Sequence, residues 1–176
     1  MSKKSWTGFI FAFLVPILIV LYWWGIFNHV EISQTRSEPV HYAYIGFYGA
    51  LGNIGDAQKK LREELVAAHI DPGSPVTVLF TDPRKTKADA QRARIGYEVP
   101  PGTSVPAPVK LADIPAHNVL RASVQASLQL APSMAYQALY DYLRPQGLDI
   151  RMPTVEIYTA GHSVSEMGTL TVDMPD

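Results

Sequence analysis

The sequence predicts an α+β fold built from two strand-helix-strand-strand units about a pseudo-twofold axis, preceded by one N-terminal transmembrane helix. Three observations carry this expectation. The chain repeats itself: Pro75-Val76-Thr77-Val78-Leu79-Phe80-Thr81 returns as Pro153-Thr154-Val155-Glu156-Ile157-Tyr158-Thr159, an offset of 78 residues. Runs of β-branched and aromatic residues alternate with stretches of helical spacing in the same order in both halves. Ahead of both lies a segment, Ser5 to Asn28, with no charged residue.

That first segment is expected to anchor the chain. Trp6 to Phe27 is 22 residues, enough at roughly 1.5 Å per residue for the ~30 Å core of a bilayer. Trp6 stands at one end and Tyr22-Trp23-Trp24 at the other, as in an aromatic belt. Lys3 and Lys4 precede the span, which favours a cytoplasmic N-terminus and places the domain outside the cytoplasm, on the periplasmic side in a bacterium. Residues 1–5 are then a short cytoplasmic end, 6–28 the anchor in the lipid bilayer, and 29–38 a polar tether.

Residues 39–176 form the domain, with units at about 39–100 and 115–175. In the first, His41 to Tyr48 reads as a strand. Ile54, Ala57, Leu61, Leu65 and Ala68 make one helical stripe, which Asp71-Pro72-Gly73 ends. Val76 to Phe80 and Arg92 to Val99 are further strands. The second runs His117 to Gln125 (strand), Pro132 to Leu143 (helix), Thr154 to Thr159 (strand) and Gly168 to Met174 (strand). Pro100 to Ala112, rich in proline, links the two.

Composition excludes several chemistries. There is no cysteine, so no disulfide, thiolate metal site or thiol nucleophile. Net charge is −1 and the basic residues are mixed with acids, which argues against a nucleic-acid surface. No two of the five histidines stand three or four apart, so no metal site is expected. Gly161-His162-Ser163 reads as a loop; no Gly-x-Ser-x-Gly elbow or phosphate loop occurs. No cofactor is implied.

The second copy differs where chemistry would show. In the repeat alignment Glu156 stands opposite Val78. Strand alternation puts Glu156 and Tyr158 on one face and Val155 and Ile157 on the other. The apolar pair is expected to meet the helix-covered core, leaving Glu156 and Tyr158 for a cleft. Tyr44, Tyr48 and Tyr97 are candidate aromatic walls for a cationic ligand. Tyr136 and Tyr140 could add to these walls but are read as packing for the second unit or a partner surface, and Asp82 as a structural loop residue.

His41 to Gly49, Thr81-Asp82-Pro83 with Arg94-Ile95-Gly96, Ile114-Pro115-Ala116 and Pro153 to Tyr158 together resemble the GyrI-like superfamily, the effector-binding domains of AraC- and MerR-type regulators, and within it a membrane-anchored subgroup. The resemblance covers about residues 39–160. It implies two strand-helix-strand-strand units and a central cleft for a small cationic or aromatic molecule, with Glu156 at the position of a cleft glutamate. The leading expectation is a membrane-anchored small-molecule-binding domain without catalysis. Its ligand set is Glu156, Tyr158, Tyr44, Tyr48 and Tyr97, with no catalytic residue. The alternatives are a hydrolase in which a cleft glutamate acts on water, and a membrane-tethered scaffold for a protein partner.

Overall fold

The computed structural model describes residues 3–161 and 167–176, with side chains in the first helix described from Ile10. Helix α1 (Lys3–Trp23) leads into β1 (Glu31–Arg36), β2 (Val40–Tyr48), α2 (Ile54–Ala67), β3 (Pro75–Leu79), β4 (Arg92–Glu98), β5 (Lys110–Ile114), β6 (Asn118–Gln125), α3 (Ala131–Leu143), β7 (Thr154–Thr159) and β8 (Thr169–Pro175). The repeat-derived elements stand within a residue or two of their expected places. Leu61 and Leu65 on α2, and Ala135, Leu139 and Leu143 on α3, are the buried stripes that the spacing marks.

Among the described residues eight strands form one sheet in the order β1-β6-β8-β7-β3-β4-β2-β5, with every neighbouring pair antiparallel. Read outward from the β3/β7 seam, the order is β3-β4-β2 on one side and β7-β8-β6 on the other. Each half therefore repeats the same connectivity, and the α+β duplication holds as a description of the fold. Helix α2 packs on β2 and β4, and α3 on β6 and β8.

Two segments expected to be connections are strands. Residues 31–36, read as a tether, pair with β6 along Glu31↔Ser123 to Arg36↔Asn118. Residues 110–114, at the end of the proline-rich linker, pair with β2. Both lie at sheet edges. The polar Glu31-Ile32-Ser33-Gln34-Thr35-Arg36 has the exposed character of an edge strand, and its alternation carries little apolar signal.

The membrane anchor expected at 6–28 is not found. Among the described residues no helix is long and apolar enough to cross a membrane. The end of the expected span is not helical either. Gly25 takes φ of 74°, and a Cβ there would lie 2.8 Å from the Gln125 carbonyl oxygen. Ser127 N–H donates to the Trp24 carbonyl at 3.0 Å, and Asn28 Nδ2 to that of Gln125 at 2.5 Å. Residues 24–28 are thus fastened to the end of β6. The bilayer partner, the membrane-anchored subgroup and the single-pass topology with the domain outside the cytoplasm all rested on that span and are withdrawn with it.

Candidate functional site

Paired residues in an antiparallel sheet share a face. One row crosses seven strands: Ile32, Ala122, Val172, Glu156, Thr77, Ile95 and Ile45. Ile32, Ala122 and Val172 belong to the core under α3, and Ile45 packs against the core under α2. Both helices therefore lie on the same face. Glu156 and Thr77 stand at the centre of that face, where the two halves meet.

Glu156 is half-buried there. Tyr136 of α3 donates its hydroxyl proton to Glu156 Oε1 at 2.9 Å. The same phenolic oxygen lies 2.6 Å from Thr154 Oγ1. A phenol has one proton, so with Glu156 ionised Thr154 is the donor to Tyr136. The result is a chain of hydroxyls, Thr154 to Tyr136 to Glu156, whose ends share one face of β7. Burial raises the Glu156 carboxyl from its usual range to about 7, opposed by the Tyr136 hydrogen bond. Burial and then the Glu156 charge push Tyr136 well above the ordinary phenol value.

The expected assignment of faces is reversed. Val155 and Ile157 meet Val40, Tyr42, Val76 and Val78 on the helix-free face, while Glu156 and Tyr158 lie under the helices. Alternation separated the two pairs, as expected, but both faces of this central strand are covered, so apolarity alone does not say which side the helices take. The reversal also changes the repeat alignment. Val78 points to the helix-free face and Glu156 to the other, so the residue beside Glu156 on its own face is Thr77.

The five candidate ligand residues do not form one cluster. Tyr158 shares the face of Glu156 and packs on the α3 core; a Cβ on Gly168 would come within 2.5 Å of its ring. Tyr97 is on the same face but buried beneath α2, donating its hydroxyl to the Gln58 carbonyl at 3.3 Å. Tyr44 and Tyr48 lie on the opposite face, lining a separate cavity. Tyr136, read above as packing or at most an aromatic wall, and Thr154, not named at all, form the hydrogen-bonded chain that ends on Glu156. The available signal was the spacing of Thr154 and Glu156, two apart on a strand, facing a helix tyrosine. His162 and Ser163 lie outside the described residues.

No protein-family model matches the sequence, and a search of curated proteins finds no match. Solved structures do match.

The fold is shared with the EcmrR C-terminal domain.

EcmrR in its complex with DNA is similar over 83% of this chain and 57% of that one, with 12% identity and a TM-score of 0.65; the EcmrR C-terminal domain alone is covered to 96%, with a TM-score of 0.64. SAV2435 bound to tetraphenylphosphonium matches over 82% of this chain and 93% of that one, with 13% identity and a TM-score of 0.58. A hydrolase from Listeria innocua matches over 82% and 91%, with 9% identity and a TM-score of 0.50. Identities this low establish the fold alone. The similar structures also include a putative transcription regulation protein from Staphylococcus aureus. The expectation that nucleic acid has no place beside this fold is withdrawn, since the EcmrR–DNA complex contains it.

Proposed function

We propose that the helix-side seam is a small-molecule site and that Glu156 acts there as a general base, activating water against a small electrophile. The observation that carries this reading is the Glu156 carboxyl itself. It is half-buried at the meeting of the two halves, held by Tyr136 at 2.9 Å, and raised to about 7. A base whose pKa lies near the working pH combines a useful ionised fraction with real basicity. The likeness to the Listeria innocua hydrolase supports it at the level of fold.

In this reading the Glu156 oxygen that Tyr136 does not engage accepts a proton from water. The oxygen of that water adds to the electrophilic carbon, the bond from that carbon to its leaving oxygen breaks, and the departing oxygen takes the proton back from the carboxyl. Tyr136 and Thr154 position the carboxylate and keep one of its oxygens occupied. Tyr158, on the same face, is the aromatic wall. The test is turnover of a small epoxide, a lactone and an aryl ester. Glu156→Gln should abolish it, and the wild-type rate should rise with pH through a group titrating near 7. Hydrolysis that survives Glu156→Gln would reject the base role.

A second reading, cation binding without turnover, draws on the tetraphenylphosphonium complex of SAV2435. It predicts that this cation binds the present chain and that Glu156→Gln weakens it, with no hydrolysis of any of the three substrates.

A further inference from the structure

The helix-free face carries a cavity of about 460 Å3 whose lining does not include Glu156. It is lined by Tyr44, Gly46 and Tyr48 of β2, Arg92 and Arg94 of β4, and Lys110 of β5, with Phe80 and Pro108 at its rim. The register explains why these meet. Tyr44 pairs with Lys110, Gly46 with Arg94 and Tyr48 with Arg92, so all six share one face. Among the described residues no acidic one lines the cavity.

The three cations are not equivalent. The Arg94 guanidinium is held, 4.7 Å from the Tyr44 ring centre and 5.2 Å from that of Phe80. Arg92 and Lys110 are exposed, and among the described residues neither side chain has an acidic partner. They stand on the strands to either side of β2, opposite Tyr48 and Tyr44, so they face each other diagonally across Gly46 with backbones about 16 Å apart and long side chains that reach inward. Between them lies Gly46. A Cβ there would meet only the Tyr48 ring, at 3.8 Å, so the missing side chain leaves an open slot with Tyr44 before it and Tyr48 after it.

We infer that this cavity is a binding site for a planar aromatic anion, such as an aryl phosphate or aryl carboxylate: the ring lies over Gly46 between the tyrosines, and the anionic group is held by Arg92 and Lys110. Uncompensated cations above a non-polar floor supply attraction for the charge, and the ring faces supply stacking area for the body. A bare anion would leave that floor unused. An aromatic cation would meet three like charges. The site is opposite in sign to the Glu156 seam and on the other face of the sheet, so the two readings stand or fall separately.

The test is calorimetric titration of the full chain at low ionic strength with phenyl phosphate and, in parallel, inorganic phosphate. Phenyl phosphate should bind at one site per chain, at least about tenfold tighter than inorganic phosphate. Arg92→Ser with Lys110→Ser should weaken it about tenfold or more. Gly46→Val, whose side chain enters the slot without meeting backbone, should abolish it while leaving the thermal midpoint and circular dichroism unchanged. Glu156→Gln should bind as wild type does. Equal affinity for the two phosphates, an unchanged affinity in either cavity variant, or a loss in Glu156→Gln would each overturn the assignment.

Discussion

Glu156 fixes the pH behaviour of the molecule as well as its chemistry. Its folded pKa of about 7 lies above an ordinary carboxyl value of 4.5. The folded state therefore holds the proton more tightly than the unfolded one. Below about pH 4.5 the carboxyl is neutral in both states and costs nothing; above about pH 7 the full cost of ionising it in the fold is present, about 3 kcal/mol. Urea unfolding of Glu156→Gln should match wild type near about pH 4 and exceed it increasingly towards about pH 8. A constant difference across that range would mean the carboxyl is solvated in the fold. Asp173 is 5% exposed and takes two hydrogen bonds from Arg121, at 2.6 and 2.7 Å. Arg121→Ala strands that charge, and a loss of about 3–5 kcal/mol is expected in the same unfolding assay. A loss below about 1 kcal/mol would show that water reaches Asp173.

At the scale of elements, Gly96 sets how the central strands of the first half pack. A Cβ there would lie 2.4 Å from the Ala43 carbonyl oxygen and 2.8 Å from Tyr42 Cδ2. Its bare backbone lets the Tyr42 ring lie across β4 to join Val76 and Val78 of β3 in the helix-free core. Gly96→Ala should cost about 1–3 kcal/mol through overpacking, with a fall in thermal midpoint and a changed tyrosine near-ultraviolet spectrum. Retention of both would show that Tyr42 can leave β4 freely. The sequence marked this glycine only as part of Arg94-Ile95-Gly96. What it made legible were elements whose pattern repeats: the stripe of Leu61 and Leu65, its counterpart at Leu139 and Leu143, and the six strands around them. What it hid were polar edge strands. Glu31 to Arg36 has one buried-side apolar residue, Ile32, and gains its structure from β6 and not from its own alternation. The site was legible in part for a related reason. Alternation placed Glu156 with Tyr158, but the partner that holds Glu156, Tyr136, comes from a helix packed over β7, and no local pattern encodes that contact.

At the scale of the whole molecule, the two halves are joined by the β3/β7 pairing and by one ionic staple. The loop after β3 carries Asp82, 9% exposed, which accepts hydrogen bonds from the Arg84 backbone at 2.9 Å and from its guanidinium at 3.2 and 2.9 Å. Arg84 also reaches Asp149 at 3.1 Å and lies 4.7 Å from the ring centre of Tyr140 on α3. Lys85 bonds the same Asp149, whose carboxyl falls to about 2 under that contact. First-half cations therefore grip second-half residues, close to Tyr136 and the Glu156 seam. Burial pushes the Asp82 carboxyl up, but the Arg84 hydrogen bonds and charge outweigh it and hold the group below its usual range. A depressed folded pKa stabilises above the unfolded value and is lost as pH falls through the folded one. Arg84→Ala should therefore cost about 1–3 kcal/mol near neutral pH, the scale of a partly buried, screened pair. The gap between variant and wild type should close as pH falls below about 3.8, where Asp82 is protonated in the unfolded chain and then in the folded one. Arg84→Lys, keeping charge but not the planar fork, should lie between the two. If all three proteins unfold at the same urea concentration at neutral pH, the staple is a surface ornament and the strand pairing alone holds the halves in register around Glu156.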